Sequence, residues 1–212
     1  MEKSNLFYLI FLVPLLFAAS CKEDDIKPDT LPPATQEGLN TFGCYINGEL
    51  LVPKNGKPGF GSGRTAKGLK IYYRKDSLTN SLKPPYFAIL ASNYIDNKGD
   101  LIYIYIPSLT TVGDYNINES NGQEGIDSPP NPHVLANVYD SENGFKRYLS
   151  FNHSGKVIVT RFDTINTIYS GTFSLKMVDA ETKSDTISVT EGRFDINWST
   201  LNCGEYGEQE CP

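Results

Sequence analysis

The side chains able to do chemistry are two histidines, four cysteines and 25 acidic residues. His133 follows Pro132 at the start of a strand-like run, and His153 sits in the turn Asn152-His-Ser-Gly155. A general base must reach its proton in space. Neither histidine adjoins a serine in the strand–turn–helix pattern of a hydrolase nucleophile. Both read as turn or surface histidines. Two carboxylates can cleave a glycoside only at a set separation, and so many acidic residues single out no pair. No residue is assigned a catalytic role. Glu119, Glu124 and Asp127, with Asn118 and Asn121, offer the oxygen ligands calcium takes. Their spacing is not that of the helix–loop–helix calcium loop, so a solvated polar loop is the default reading. The run Gly59-Phe-Gly-Ser-Gly-Arg-Thr65 lacks the lysine of a phosphate cradle. No metal or other cofactor is expected.

Of the cysteines, Cys203 and Cys211 bracket a short loop with two glycines and could close as a disulfide in an oxidising compartment. Cys44 alternates with Phe42 and Ile46, which makes it a small buried hydrophobe. A Cys203–Cys211 bridge with Cys44 free is favoured over a Cys44–Cys203 bridge. A zinc site would need a C-x-x-C spacing that is absent.

Cys21 has a different context. Lys3, an uncharged run from Leu6 to Pro14, and Leu15-Leu-Phe-Ala-Ala-Ser-Cys21 have the layout of a secretory signal over residues 1–20. The small residues Ala18, Ala19 and Ser20 before a cysteine resemble the lipobox of bacterial lipoproteins, with Ala18 where leucine is usual. The resemblance implies that Cys21 is acylated and becomes the mature N-terminus, making the membrane a partner through its lipid. The acidic residues Glu23, Asp24 and Asp25 resemble the signal that sends Bacteroidetes lipoproteins to the outer face of the outer membrane. A surface-exposed location is therefore expected ahead of a periplasmic one. Pro28, Pro32 and Pro33 predict an extended, flexible tether over residues 21–40. Thr30, Ser77, Thr164 and Thr186 each follow an aspartate and precede an aliphatic residue, which resembles the acceptor pattern of Bacteroidetes O-glycosylation. Aspartate–hydroxyl pairs are also ordinary turn residues.

The elements that must position these residues are strands. Tyr and Phe are plentiful, and Gly and Pro punctuate the chain. A net charge of −6 offers no basic face for a phosphate backbone, so no nucleic-acid partner is expected. Residues 41–46 and 49–52 flank Asn47-Gly48, a strong hairpin signal. Strands are predicted over 69–73, 86–94, 101–106, 113–117, 134–139, 145–151, 155–162 and 168–178. A last hairpin, 186–190 with 193–198, is predicted around Glu191-Gly192. Ile102, Ile104 and Ile106 alternate with Tyr103 and Tyr105, giving one aliphatic and one aromatic face. Successive hairpins predict an all-β, antiparallel β-sandwich over residues 41–200, with a partly open barrel as the alternative, and a tail over 201–212.

The run Leu31-Pro-Pro-Ala-Thr-Gln-Glu-Gly-Leu-Asn-Thr-Phe-Gly-Cys44, continuing to Asn47-Gly48, resembles the opening of a family of uncharacterised Bacteroidetes lipoproteins. Similar pieces recur at 155–163, at Ser170-Gly-Thr-Phe173 and at Glu191-Gly-Arg-Phe-Asp195. They cover the start and end of the mature domain; the middle matches in rhythm alone. The resemblance implies an exported β-domain and no particular activity. The tail from Cys203 departs from the pattern.

The expected function is that of a lipid-anchored, non-enzymatic binding or structural accessory module. One alternative is carbohydrate capture, with Tyr103, Tyr105, Trp198 and Tyr206 stacking on sugar rings; the ligand would be a glycan or a protein. A second alternative is a hydrolase of surface polymers.

Overall fold

The structure, a computed structural model, describes residues 30–57, 66–74, 86–95, 99–142 and 144–201. The predicted signal sequence, Cys21, Ser77, Cys203, Tyr206 and Cys211 lie outside the described residues.

Among the described residues eleven antiparallel strands occur in chain order: β1 Thr41–Ile46, β2 Glu49–Leu51, β3 Leu69–Arg74, β4 Tyr86–Ser92, β5 Leu101–Pro107, β6 Gly113–Ile117, β7 His133–Asp140, β8 Gly144–Leu149, β9 Gly155–Asp163, β10 Ile168–Asp179 and β11 Thr186–Asn197. A four-residue helix, α1 Trp198–Leu201, follows. The hydrogen-bonded order is β2-β1-β11-β10-β8-β7-β5-β4-β3, with β9 also on β10 and β6 on β9. β11 occupies one edge of β10. The other edge is shared: residues 168–175 pair with β9, whereas Val178 and Asp179 pair with β8. The network divides at that point into two sheets, β2-β1-β11-β10-β9-β6 and β3-β4-β5-β7-β8. Among the described residues it is not closed into a barrel. This is the expected sandwich.

The core lies between the sheets. Phe87 of β4 meets Tyr169 of β10 and Phe194 of β11 at ring-centroid distances of 5.4 and 6.4 Å. Ile102, Ile104 and Ile106 point into this layer and are wholly buried. Tyr103 and Tyr105 point the other way, as alternation along a strand requires. The β1–β2 hairpin turns at Asn47 and Gly48, whose φ values of 49° and 83° are the left-handed pair that a type I′ turn needs.

Three expectations need correction. Glu191-Gly192 is no hairpin turn: β11 runs unbroken through it, and the irregularity is a bulge. Glu191 has φ 50°, and the registers of β10 and β1 against β11 both shift nearby. A side chain at Gly192 would lie 2.4 Å from the Phe173 ring, so glycine is required by close approach. Trp198 opens α1 instead of ending a strand. Residues 30–40 are also not a free tether but a strap packed across the outer face of the first sheet. The folded unit therefore includes residue 30 onward.

Candidate functional site

The strap is held by one carboxylate. Asp195 of β11 lies on the outer face of the first sheet and is 1% exposed. It accepts hydrogen bonds from the Thr35 hydroxyl (2.6 Å), the backbone N–H groups of Glu37 (2.9 Å), Gly38 (2.8 Å) and Leu39 (3.3 Å), and the Ser170 hydroxyl (2.7 Å). Burial alone would raise the carboxyl. The bonds from Thr35, Ser170, Gly38 and Glu37 outweigh it and hold the group below the usual carboxylate range. Arg161 donates to the Gln36 carbonyl and pairs with Asp163 at 2.8 Å, while Arg193 donates to the Pro32 carbonyl. At Gly43 a side chain would come within 2.7 Å of Pro32, so glycine lets the strap lie flat on β1. The Asn40 carboxamide finishes the strap, accepting from the Asn197 N–H at 2.9 Å.

Sequence reasoning missed Asp195 as a hub. The signal that pointed there was the set of separated pieces at 31–44, 155–163, 170–173 and 191–195. In the fold they meet at this one place. Their chemistry is that of a clasp, since every polar group named is consumed by a partner within the protein.

The second sheet is covered by the loop of residues 118–132. It is fastened at its base by Asn118 N–H to the Pro132 carbonyl (2.8 Å) and Ser120 N–H to the Ser150 carbonyl (3.0 Å). Over the sheet, Gly125 N–H donates to the Tyr103 hydroxyl at 2.9 Å, and Arg147 donates to the Gly122 carbonyl at 3.3 Å. Beneath it Tyr86, Tyr105 and His133 form a stacked row, with centroids 5.4 and 4.8 Å apart. Tyr103 and Tyr105 are 1% and 2% exposed, and burial raises both phenols. They present no ring face to a sugar. Trp198 packs against the core between the sheets, away from that row, so the three residues form no common strip.

His133 is no surface histidine; it is fully buried, whereas His153 is exposed in its turn, with φ 57°. Glu119, Glu124 and Asp127 are exposed on the covering loop. Among the described residues no three His, Cys, Asp or Glu side chains converge as a metal-ligand group. The loop is tied by amides instead: Asn121 to the Asp127 carbonyl and Asn131 to the Glu119 carbonyl, both at 3.0 Å. Cys44 is buried as expected, and desolvation pushes its thiol up to about 12. It has no disulfide within the described residues.

Thr30 is exposed where the strap begins, and Thr186 is exposed at the first position of β11. Thr164 is exposed in the β9–β10 turn beside Ile165, which is 91% exposed. The preceding Asp163 is occupied by that turn. It accepts from Asn166 and Ile165 and pairs with Arg161, so its carboxyl lies far below the usual range.

Two open clefts of about 350 Å³ each flank the strap. Pro32, Phe42, Asn55 and Lys67 line one; Ala34, Lys156, Thr172, Ser174 and Arg193 line the other. In the second, Lys156 pairs with Asp114 at 3.0 Å and Arg193 with Glu191 at 3.3 Å, so both cations are already neutralised. Set against family models, curated proteins and solved structures, the chain matches none.

Proposed function

We propose that the protein is a lipid-anchored β-sandwich of the outer membrane, displayed at the cell surface as a binding or structural accessory module. The observation that carries this reading is the seated strap. It begins at Thr30, nine residues after Cys21, and nine residues reach at most about 30 Å. A lipid on Cys21 would thus hold the sandwich close to the bilayer, through a strap fastened by Asp195 to the middle of a sheet. The signal-like segment before Cys21 and the acidic residues after it support the same location. Metabolic labelling with a fatty-acid probe is expected to tag the wild type and miss Cys21→Ala. Protease added to intact cells is expected to degrade the wild-type domain. Equal labelling of both proteins, or full protection in intact cells, would refute the corresponding half of the proposal.

Carbohydrate capture retains one specific support at a site other than the one expected. Tyr139 and Phe145 face each other across the β7–β8 hairpin, 42% and 60% exposed, with centroids 5.4 Å apart. Exposed ring faces of this kind can contact the apolar side of a sugar. Retention on a panel of insoluble polysaccharides that is lost in Phe145→Ala, with the melting temperature unchanged, would support this reading. Equal retention would remove it.

A further inference from the structure

The ring of His133 is a buried titratable group. Its Nδ1 lies 2.9 Å from the Asn131 carbonyl. A carbonyl only accepts, so Nδ1 carries the hydrogen and Nε2 is a bare lone pair. Nε2 is buried without a hydrogen-bond partner. The Gln123 carbonyl favours a charged ring, yet it does not meet hydrogen-bond geometry with Nε2. One face of the imidazole is stacked on Tyr105. The titratable and charged groups that share its sheet face or lie on the covering loop are Tyr103 and Tyr105 of β5, Tyr86 of β4, Tyr139 of β7, Arg147 of β8, and Glu119, Glu124 and Asp127 of the loop. Among the described residues none of them forms an ion pair with the ring. A proton on Nε2 would place a cation in a site shaped for a neutral ring, under the same loop whose Asn131 and Gln123 carbonyls adjoin it.

We propose that His133 is a proton-sensitive catch for this loop: uptake of one proton from solvent at Nε2 loosens residues 121–128 from β5 and uncovers the rings of Tyr103 and Tyr105. The sign follows from burial. Burial, the largest effect, lowers the affinity of His133 for a proton and outweighs the two carbonyls. The seated loop therefore binds fewer protons than the lifted one. Its hold is complete above the ordinary histidine value of about 6.5 and weakens as pH falls below it.

Hydrogen exchange of the Gly125 amide, which donates to the Tyr103 hydroxyl, reads the loop directly. After correction for intrinsic exchange, the opening constant is expected to be level above about pH 6.5 and to rise below it, approaching tenfold per pH unit. His133→Phe keeps a ring for Tyr105 to stack on but cannot titrate, and is expected to abolish the rise. His153→Gln is expected to leave it intact. A level opening constant in the wild type, or the same rise in His133→Phe, overturns the proposal. Should His133→Phe fail to fold, the wild-type imidazole is followed by NMR alongside the Gly125 amide. Coincident midpoints support the catch; midpoints more than about one pH unit apart overturn it.

Discussion

The Thr35 hydroxyl donates to the Asp195 carboxylate across 2.6 Å, joining residues 160 positions apart. It is one of five hydrogen bonds that a single buried anion accepts, and three of the others come from backbone N–H groups of the same strap. A carboxylate suits this place because it only accepts, and every group aimed at it donates.

Asp195→Asn keeps the shape but turns one acceptor into a donor facing other donors. A loss of about 3–5 kcal/mol is expected, because removing one side of a buried charged network strands the rest. Thr35→Ala removes one donor and is expected to cost about 1–2 kcal/mol. Urea titrations of the purified domain provide the test, and a loss below 1 kcal/mol for Asp195→Asn would show that the strap is not fastened there.

Acid should release the strap in the wild type. The Asp195 carboxyl is lowered in the folded protein, so its contribution is complete above its unfolded value of about 4 and is lost as pH falls through the lower folded value. Cleavage within residues 30–40 by an acid-active protease is expected to accelerate below about pH 4. In Asp195→Asn it is expected to be fast at every pH. A wild-type rate that does not change with pH would exclude Asp195 as the controlling group.

On β5 both faces are buried. Ile104→Ala is expected to cost about 2–4 kcal/mol by leaving a cavity between the sheets. Tyr103→Ala is expected to cost about 3–5 kcal/mol, since a buried ring is removed and the Gly125 N–H loses its acceptor. Thermal melts separate the possibilities: a Tyr103→Ala protein as stable as the wild type would mean that the covering loop does not pack on this face in solution.

Gly192→Ala sets a methyl group against the Phe173 ring and is expected to cost about 1–3 kcal/mol through overpacking. Because the two residues touch, Gly192→Ala combined with Phe173→Leu should lose less than the sum of the single losses. A coupling of about 1 kcal/mol is expected. Strict additivity would place the strain elsewhere.

How much of this was legible in the chain depended on distance along it. Asn47-Gly48 announced the first hairpin because the turn and both strands are local. The alternation of Ile102, Ile104 and Ile106 with Tyr103 and Tyr105 gave the two faces of β5. It could not show that the aromatic face is covered, because the cover is a separate loop at 118–132. Glu191-Gly192 misled for the opposite reason. It is a good turn dipeptide, but the Phe173 ring and pairing on both edges carry the strand straight through it. Pro32 and Pro33 read as an extended tether by composition. Extension says nothing about docking, which is decided by Asp195 at the far end of the domain.

The clasp also orders events in time. The strap and β1 are made first, yet their partners arrive last: β1 has only β2 beside it until β11 exists. At about 5–20 residues per second, roughly 10–30 s separate synthesis of Thr35 from synthesis of Asp195. Hairpins between neighbouring strands can form within that interval, since they close short loops, whereas the strap must wait for a closure across 160 positions. A nascent chain halted before residue 195 therefore keeps an unlatched end, however many of its other strands have already paired.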